Sequence, residues 1–184
     1  MVVVVENVWE RNVEDIPLSC KQCIYWEFPE LFEELKTMEV EKRRMLAMEK
    51  KKKWFIKTLK NFGNCGKIVY HNDSPIGYAQ YAPSSLLPQV KNYKSRSVGK
   101  VEDGVIFLSC LYLPGEEWRG KGIGKMLLTS ILNDLKARGF KAIETFARES
   151  SSENPSGPLK FYLKNGFKII DASIEDFPLV RLEL

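Results

Sequence analysis

"GEEWRGKGIGKMLL", residues 115–128, sets four glycines and five charges between a continuous apolar run and an amphipathic stretch. The run before it, "GVIFLSCLYL" (104–113), is β-branched and aromatic enough for a buried central strand. Behind it, Ile123, Leu127, Ile131 and Leu135 recur at helical spacing, with Met126 and Leu128 beside them, until Gly139 ends the pattern. The stretch is therefore a strand–loop–helix junction. Its glycines let backbone N–H groups approach a phosphate at a helix start.

Three phosphate-binding patterns compete for it. A Walker loop needs Gly, four residues, Gly-Lys and then a Ser or Thr hydroxyl for Mg²⁺. Gly115 to Lys121 comply, but Gly122 has no oxygen to offer. A dinucleotide fingerprint needs Gly-x-Gly-x-x-Gly and an acidic residue ending the next strand. Gly120 and Gly122 comply, but position 125 is Lys125 and Glu144 falls inside its strand. Arg-x-x-Gly-x-Gly is met in full by Arg119, Gly122 and Gly124. In that pattern the free amides at the helix start surround a pyrophosphate, and the helix dipole adds about half a positive charge. A bare glycine turn capping a helix is the bland alternative.

Outward from the loop, Val2–Val5 reads as a strand, Pro29 to about Leu35 as a short helix and Val40 to Leu59 as a longer one, with Met45, Met48, Phe55 and Leu59 at near-helical spacing. "KIVYHNDSPIGYAQY" reads as two strands around an Asn72-Asp73-Ser74-Pro75 turn, and 83–103 as an irregular connection. "FKAIETFA" is a strand, "NPSGPLKFYLKNG" holds a short helix between Pro158 and Gly166, and "FKIID" and "PLVRLEL" close the chain as strands.

This order, the Arg119-x-x-Gly122-x-Gly124 loop and "FYLKNGF" (161–167), which looks like a Tyr-x-x-x-Gly-Phe motif, together resemble the GNAT superfamily of N-acetyltransferases over almost the whole length. The resemblance implies an α/β GNAT fold with a central, mixed, mostly antiparallel sheet of six or seven strands flanked by helices, in a single N-acetyltransferase domain over residues 1–184. It implies acetyl-CoA as co-substrate. The backbone of Leu111, Tyr112 and Leu113 would pair with the pantetheine arm like an added strand, and Arg119, Gly120, Lys121, Gly122, Ile123, Gly124 and Lys125 would take the pyrophosphate. Tyr162 would protonate the departing CoA thiolate, since a phenol with a reference pKa near 10 keeps its proton at neutral pH. Asn154 resembles a cofactor-contacting Asn of the family, one residue farther from the tyrosine than usual and followed by Pro155 and Pro158, which change the local chain. The implied reaction is direct acetyl transfer to a primary amine on a small molecule, peptide or protein; the alternative is a non-catalytic acyl-CoA-binding or regulatory module.

No residue declares itself as the base. Glu144 is the first candidate, because period-two alternation puts it on one face with Phe146 and Arg148; a solvated carboxylate or a partner for Arg148 is the structural reading. His71, beside a turn, reads as exposed. Cys110 in an apolar strand reads as a small buried hydrophobe. Cys20 and Cys23 are half a metal site with no second Cys-x-x-Cys, so no metal is expected. Glu30, Glu33 and Glu34 lie where such an acceptor site would be shaped, or on the surface.

A net charge of +4, from 28 basic and 24 acidic residues, fits an anionic small ligand and falls short of a dedicated nucleic-acid binder. Lys50–Lys53 reads as a solvated helix face because Glu41 and Glu49 share it. Glu6 and Asn7 end the first apolar run far short of a signal core, and no segment reaches membrane-spanning length, so the chain reads as cytoplasmic, bound neither to nucleic acid nor to membrane. A homodimer stays open.

Overall fold

The computed structural model describes residues 2–150 and 157–184. The order is β1 (Val3–Asn7), α1 (Leu18–Lys21), α2 (Pro29–Glu34), α3 (Val40–Phe62), β2 (Gly66–His71), β3 (Ser74–Ala82), α4 (Gln89–Asn92), β4 (Val105–Tyr112), α5 (Ile123–Ala137), β5 (Ala142–Phe146), α6 (Leu159–Lys164), β6 (Lys168–Asp171) and β7 (Leu179–Glu183). Among these residues no helix is long and apolar enough to cross a membrane.

The strands form one seven-stranded sheet in the order β1-β2-β3-β4-β5-β7-β6. Neighbours are antiparallel except β4 and β5, which run parallel. A parallel pair cannot be closed by a hairpin, so the chain crosses over through α5. Pairing of β4 with β5 covers Val105–Ala142, Ile106–Ile143 and Phe107–Glu144 only, and both strands run on beyond it.

Alternation along the strands separates two cores. Val69, Ala79, Ile106 and Leu108 face α5 and α6, against Leu127, Ile131, Leu135 and Tyr162. Ile68, Tyr78 and Cys110 face the other way, against Phe55 of α3 and Cys20 of α1. A third cluster joins Trp26, Phe107 and Phe146, with the Tyr93 ring stacked 4.3 Å from Phe146.

Several sequence expectations shift in detail. The hairpin turn is shorter than expected: Asn72 and Asp73 alone make it, at φ 45° and 65°, a conformation these two residue types tolerate, so β3 already starts at Ser74. In α3 the inner face is Ala47, Lys51, Phe55 and Thr58, whereas Met45 is exposed. The Lys50–Lys53 run is thus not a uniformly solvated face, because Lys51 is drawn inward to Glu27. Glu39 caps α3, its carboxylate accepting from the amides of Glu41 and Lys42 at 3.0 and 2.9 Å. Met126 of α5 is exposed too, leaving Ile123, Leu127, Leu128, Ile131 and Leu135 as the buried stripe.

Helix α3 sits close on the sheet where β2 begins. A Cβ on Gly66 would stand 2.7 Å from Phe55 Cζ and 3.2 Å from the Ala79 carbonyl oxygen. Gly66→Ala should therefore destabilise the protein by about 1–3 kcal/mol through overpacking. Urea denaturation should show a lower midpoint at constant m-value; an unchanged midpoint would mean that Phe55 yields without cost.

Candidate functional site

The separation of β4 from β5 leaves a groove of about 440 Å³ between the end of β4, the loop opening α5, and α6. One wall is Leu111, Tyr112 and Leu113; the floor is Arg119, Gly120, Gly122, Gly124 and Lys125; the far wall is Gly157, Pro158, Phe161, Lys164 and Asn165. Pro114 has no N–H and ends the strand here. Gly120 and Gly122 have φ of 73° and 81°, which lets the chain reverse and start α5 with its first amides turned outward. Gly124 faces the Phe161 ring where α5 and α6 come together, and a Cβ there would make only an ordinary contact with it at 3.5 Å.

Eight of the eleven residues expected to hold the cofactor thus border one groove: Leu111, Tyr112, Leu113, Arg119, Gly120, Gly122, Gly124 and Lys125. Ile123 is buried in the α5 core, and Lys121 lies 5.4 Å from the centroid of the Trp118 ring. Asn154 lies outside the described residues. Lys164 and Asn165 were missed, although with Phe161 they keep the i, i+3, i+4 spacing of one face of the short helix. Lys164 adds a third cation, opposite Arg119 and Lys125.

Tyr162 is fully buried behind the far wall, edge-on to Phe161 and Phe167 at 5.2 and 5.0 Å. Its hydroxyl lies 3.3 Å from where a Cβ on Gly157 would sit. Burial pushes its pKa well above the usual phenol range, so it stays protonated.

Glu144, expected as a candidate base, is wholly buried and fully engaged. Its Oε1 accepts from Arg181 Nε at 2.6 Å and its Oε2 from the Gly99 amide at 2.9 Å. Its partner is not Arg148, which is ion-paired with Asp176 at 3.1 Å and stacked on Phe177. Glu144 thereby ties the 83–103 connection and β7 to β5, away from the groove. Burial raises its pKa, against the opposing pull of the Gly99 amide and Arg181.

His71 is only half exposed, its ring 4.7 Å from Trp118 and its Nε2 buried without a hydrogen-bond partner among the described residues. Cys110 is buried; its contact with Cys20 and its burial raise its pKa well above the usual thiol range, which keeps it a thiol. Among the described residues no group of three or more His, Cys, Asp or Glu side chains could hold a metal ion.

The family model described as the acetyltransferase (GNAT) family matches residues 24–167. A search of curated protein sequences gives no match. Among solved structures, the PaiA N-acetyltransferase of Thermoplasma acidophilum, in complex with coenzyme A, is similar over 100% of both chains at a TM-score of 0.62 and 17% identity. An N-acetyltransferase from Staphylococcus aureus Mu50 is similar at 0.57 and 16%, over 100% of this chain and 98% of its own. Naa50 of Arabidopsis thaliana, in complex with the bisubstrate analogue CoA-Ac-MVNAL, is similar at 0.54 and 18% over 100% of both. At these identities the likeness is one of fold.

The Glu144–Arg181 pair yields a pH-dependent expectation. Arg181→Met strands a buried carboxylate and should cost about 3 kcal/mol at pH 7.5. Because the folded-state pKa of Glu144 lies above its unfolded value, the charged form is the disfavoured one. The deficit relative to wild type should therefore shrink as the pH falls through that raised pKa. Adding Glu144→Gln should flatten the dependence; a deficit in Arg181→Met that ignores pH would rule this account out.

Proposed function

The chain belongs to the acetyltransferase (GNAT) family, and from that premise we propose that residues 1–184 work as one acetyl-CoA-dependent N-acetyltransferase domain acting on a primary amine of a small molecule, peptide or protein. The observation that carries the reading is the groove itself. A strand end unpaired on its β5 side, a helix start with open amides and three cations, Arg119, Lys125 and Lys164, all meet in it. This set suits an elongated ligand with an amide-bearing arm at one end and phosphates at the other. ATP with Mg²⁺ suits it less, since Gly122 supplies no hydroxyl for the metal.

In this reading the pyrophosphate rests on the loop from Arg119 to Lys125, and the pantetheine amides pair with Leu111–Leu113. The neutral amine attacks the thioester carbonyl, forming the C–N bond. A backbone N–H near Leu111 stabilises the oxyanion. As the tetrahedral intermediate collapses, the C–S bond breaks and Tyr162 gives its proton to the leaving sulfur. Glu144 accepts no proton here, because both its oxygens are committed elsewhere. The ammonium proton leaves to solvent, and Tyr162 takes a proton back from solvent to restore the acid.

Titration calorimetry with acetyl-CoA and, separately, with ATP and Mg²⁺ tests the ligand: saturable acetyl-CoA binding without an ATP response is expected, and the reverse would overturn the reading. Tyr162→Phe tests the chemistry. It should lower kcat by about 100-fold or more, with acetyl-CoA affinity held within about threefold. Unchanged turnover would remove Tyr162 from the reaction. A wild-type protein that binds acetyl-CoA and transfers to no amine would instead favour the non-catalytic acyl-CoA-binding module.

A further inference from the structure

Opposite the groove, across β4, lies a polar network inside the core. Gln80 pairs with Cys110 and Tyr81 with Leu108, so Ser109 is an extra residue on β4, a β-bulge. The Gln80 side chain spans it. Its Nε2 donates to Ser109 Oγ at 3.1 Å and to Glu27 Oε1, while its Oε1 accepts from the Tyr78 hydroxyl at 2.8 Å. Ser109 Oγ donates in turn to the Gln80 carbonyl at 3.1 Å. Lys51 Nζ donates to the same Glu27 oxygen at 2.5 Å. All five residues are buried, Glu27 at 3% and Lys51 at 5% exposure. An ion pair at such depth is weak evidence of stabilisation, since apolar side chains of equal volume often do as well. Its presence calls for another account.

The bulge supplies one. Side chains alternate along a strand, and one inserted residue exchanges the faces of all that follow. Before it, Ile106 and Leu108 point toward α5 and Phe107 away; after it, Leu111 and Leu113 point toward α5, and Cys110 and Tyr112 away. Without Ser109 as the extra residue, Leu111 and Leu113 would leave the groove wall they now form. We propose that Glu27, carried on the connection between α1 and α2, is a positioning residue: held by Lys51, it receives the Gln80 amide, fixes the Ser109 bulge, and so sets the phase of the strand end that grips the acyl-pantetheine arm. The consequence for binding rests on the acetyl-CoA reading above; the claim about the bulge does not.

Two uncharged double variants separate this role from mere filling of space. In E27Q/K51M the amide oxygen can still accept from Gln80, whereas in E27L/K51M nothing can. Amide hydrogen exchange over Ser109–Leu111 should quicken about tenfold in E27L/K51M and stay near wild type in E27Q/K51M. By calorimetry, acetyl-CoA affinity should fall about tenfold in E27L/K51M alone. Adenosine 3′,5′-bisphosphate, which reaches only the loop end, should bind all three proteins equally. Equal exchange and equal acetyl-CoA affinity in the two variants would overturn the proposal. Should E27L/K51M not fold, Ser109→Ala cuts the next link of the same chain, from Gln80 to the bulge, without touching a charge: quickened exchange at Cys110 and Leu111 supports the proposal, and unchanged exchange overturns it. If wild type binds neither nucleotide, the cofactor reading fails by itself, and the exchange rates alone decide whether Glu27 fixes the bulge.

Discussion

Two parallel strands inside an otherwise antiparallel sheet impose the constraint from which the groove follows. The link from β4 to β5 must leave the sheet and return, and α5 is that link. Its first turn therefore lies beside the end of β4. Because the two strands part after Phe107 and Glu144, the last residues of β4 keep an unpaired side just where the open amides of α5 begin. Strand edge and helix start are brought together by connectivity alone, before any side chain is chosen. The sequence then adapts the junction. Pro114 stops the ladder, Gly120 and Gly122 reverse the chain, and Phe161 of α6 packs near Gly124 on the other side.

Charge is divided between the groove and the interior. The cations Arg119, Lys125 and Lys164 border the open groove, where solvent meets their hydration needs and a phosphate can replace it. The two buried glutamates do a different job. Glu144 holds the Gly99 amide and Arg181; Glu27 holds Lys51 and Gln80. Each fastens an irregular segment, residues 83–103 in one case and the α1–α2 connection in the other, to the regular sheet. Such segments have no ladder of their own, so a carboxylate that accepts several hydrogen bonds is an economical way to fix them in place.

What the sequence made legible was local. The five buried positions of α5, the continuous apolar run of β4 and the glycine junction between them are each written within about a dozen neighbouring residues, and the fold order follows from them. Lys164 and Asn165 were within reach by the same reasoning, from the helical spacing that begins at Phe161. The partners of the buried charges were not. Glu27 finds Lys51 24 positions away, and Glu144 finds Arg181 37 positions away, once strands and helices have packed. Period-two alternation correctly put Glu144 on a face, but it offered Arg148 as the partner because it sees along one strand and not across to the next. In the same way a run of four lysines hides that one of them lies on the inner face of α3, a fact decided by the acid it meets there.

Tyr162 is buried, yet the proposed reaction gives it a part in an open groove. In the proposed reaction its proton must reach a sulfur in the groove, yet the ring is enclosed by Phe161 and Phe167. Between its hydroxyl and the groove stands Gly157, which lines the wall and has φ 88°. A Cβ at that position would come within 3.3 Å of the phenolic oxygen and crowd it. The same enclosure keeps the phenol protonated, since burial disfavours the phenolate. In the proposed reaction this enclosure would preserve the acid, and the missing side chain of Gly157 would leave room beside its hydroxyl.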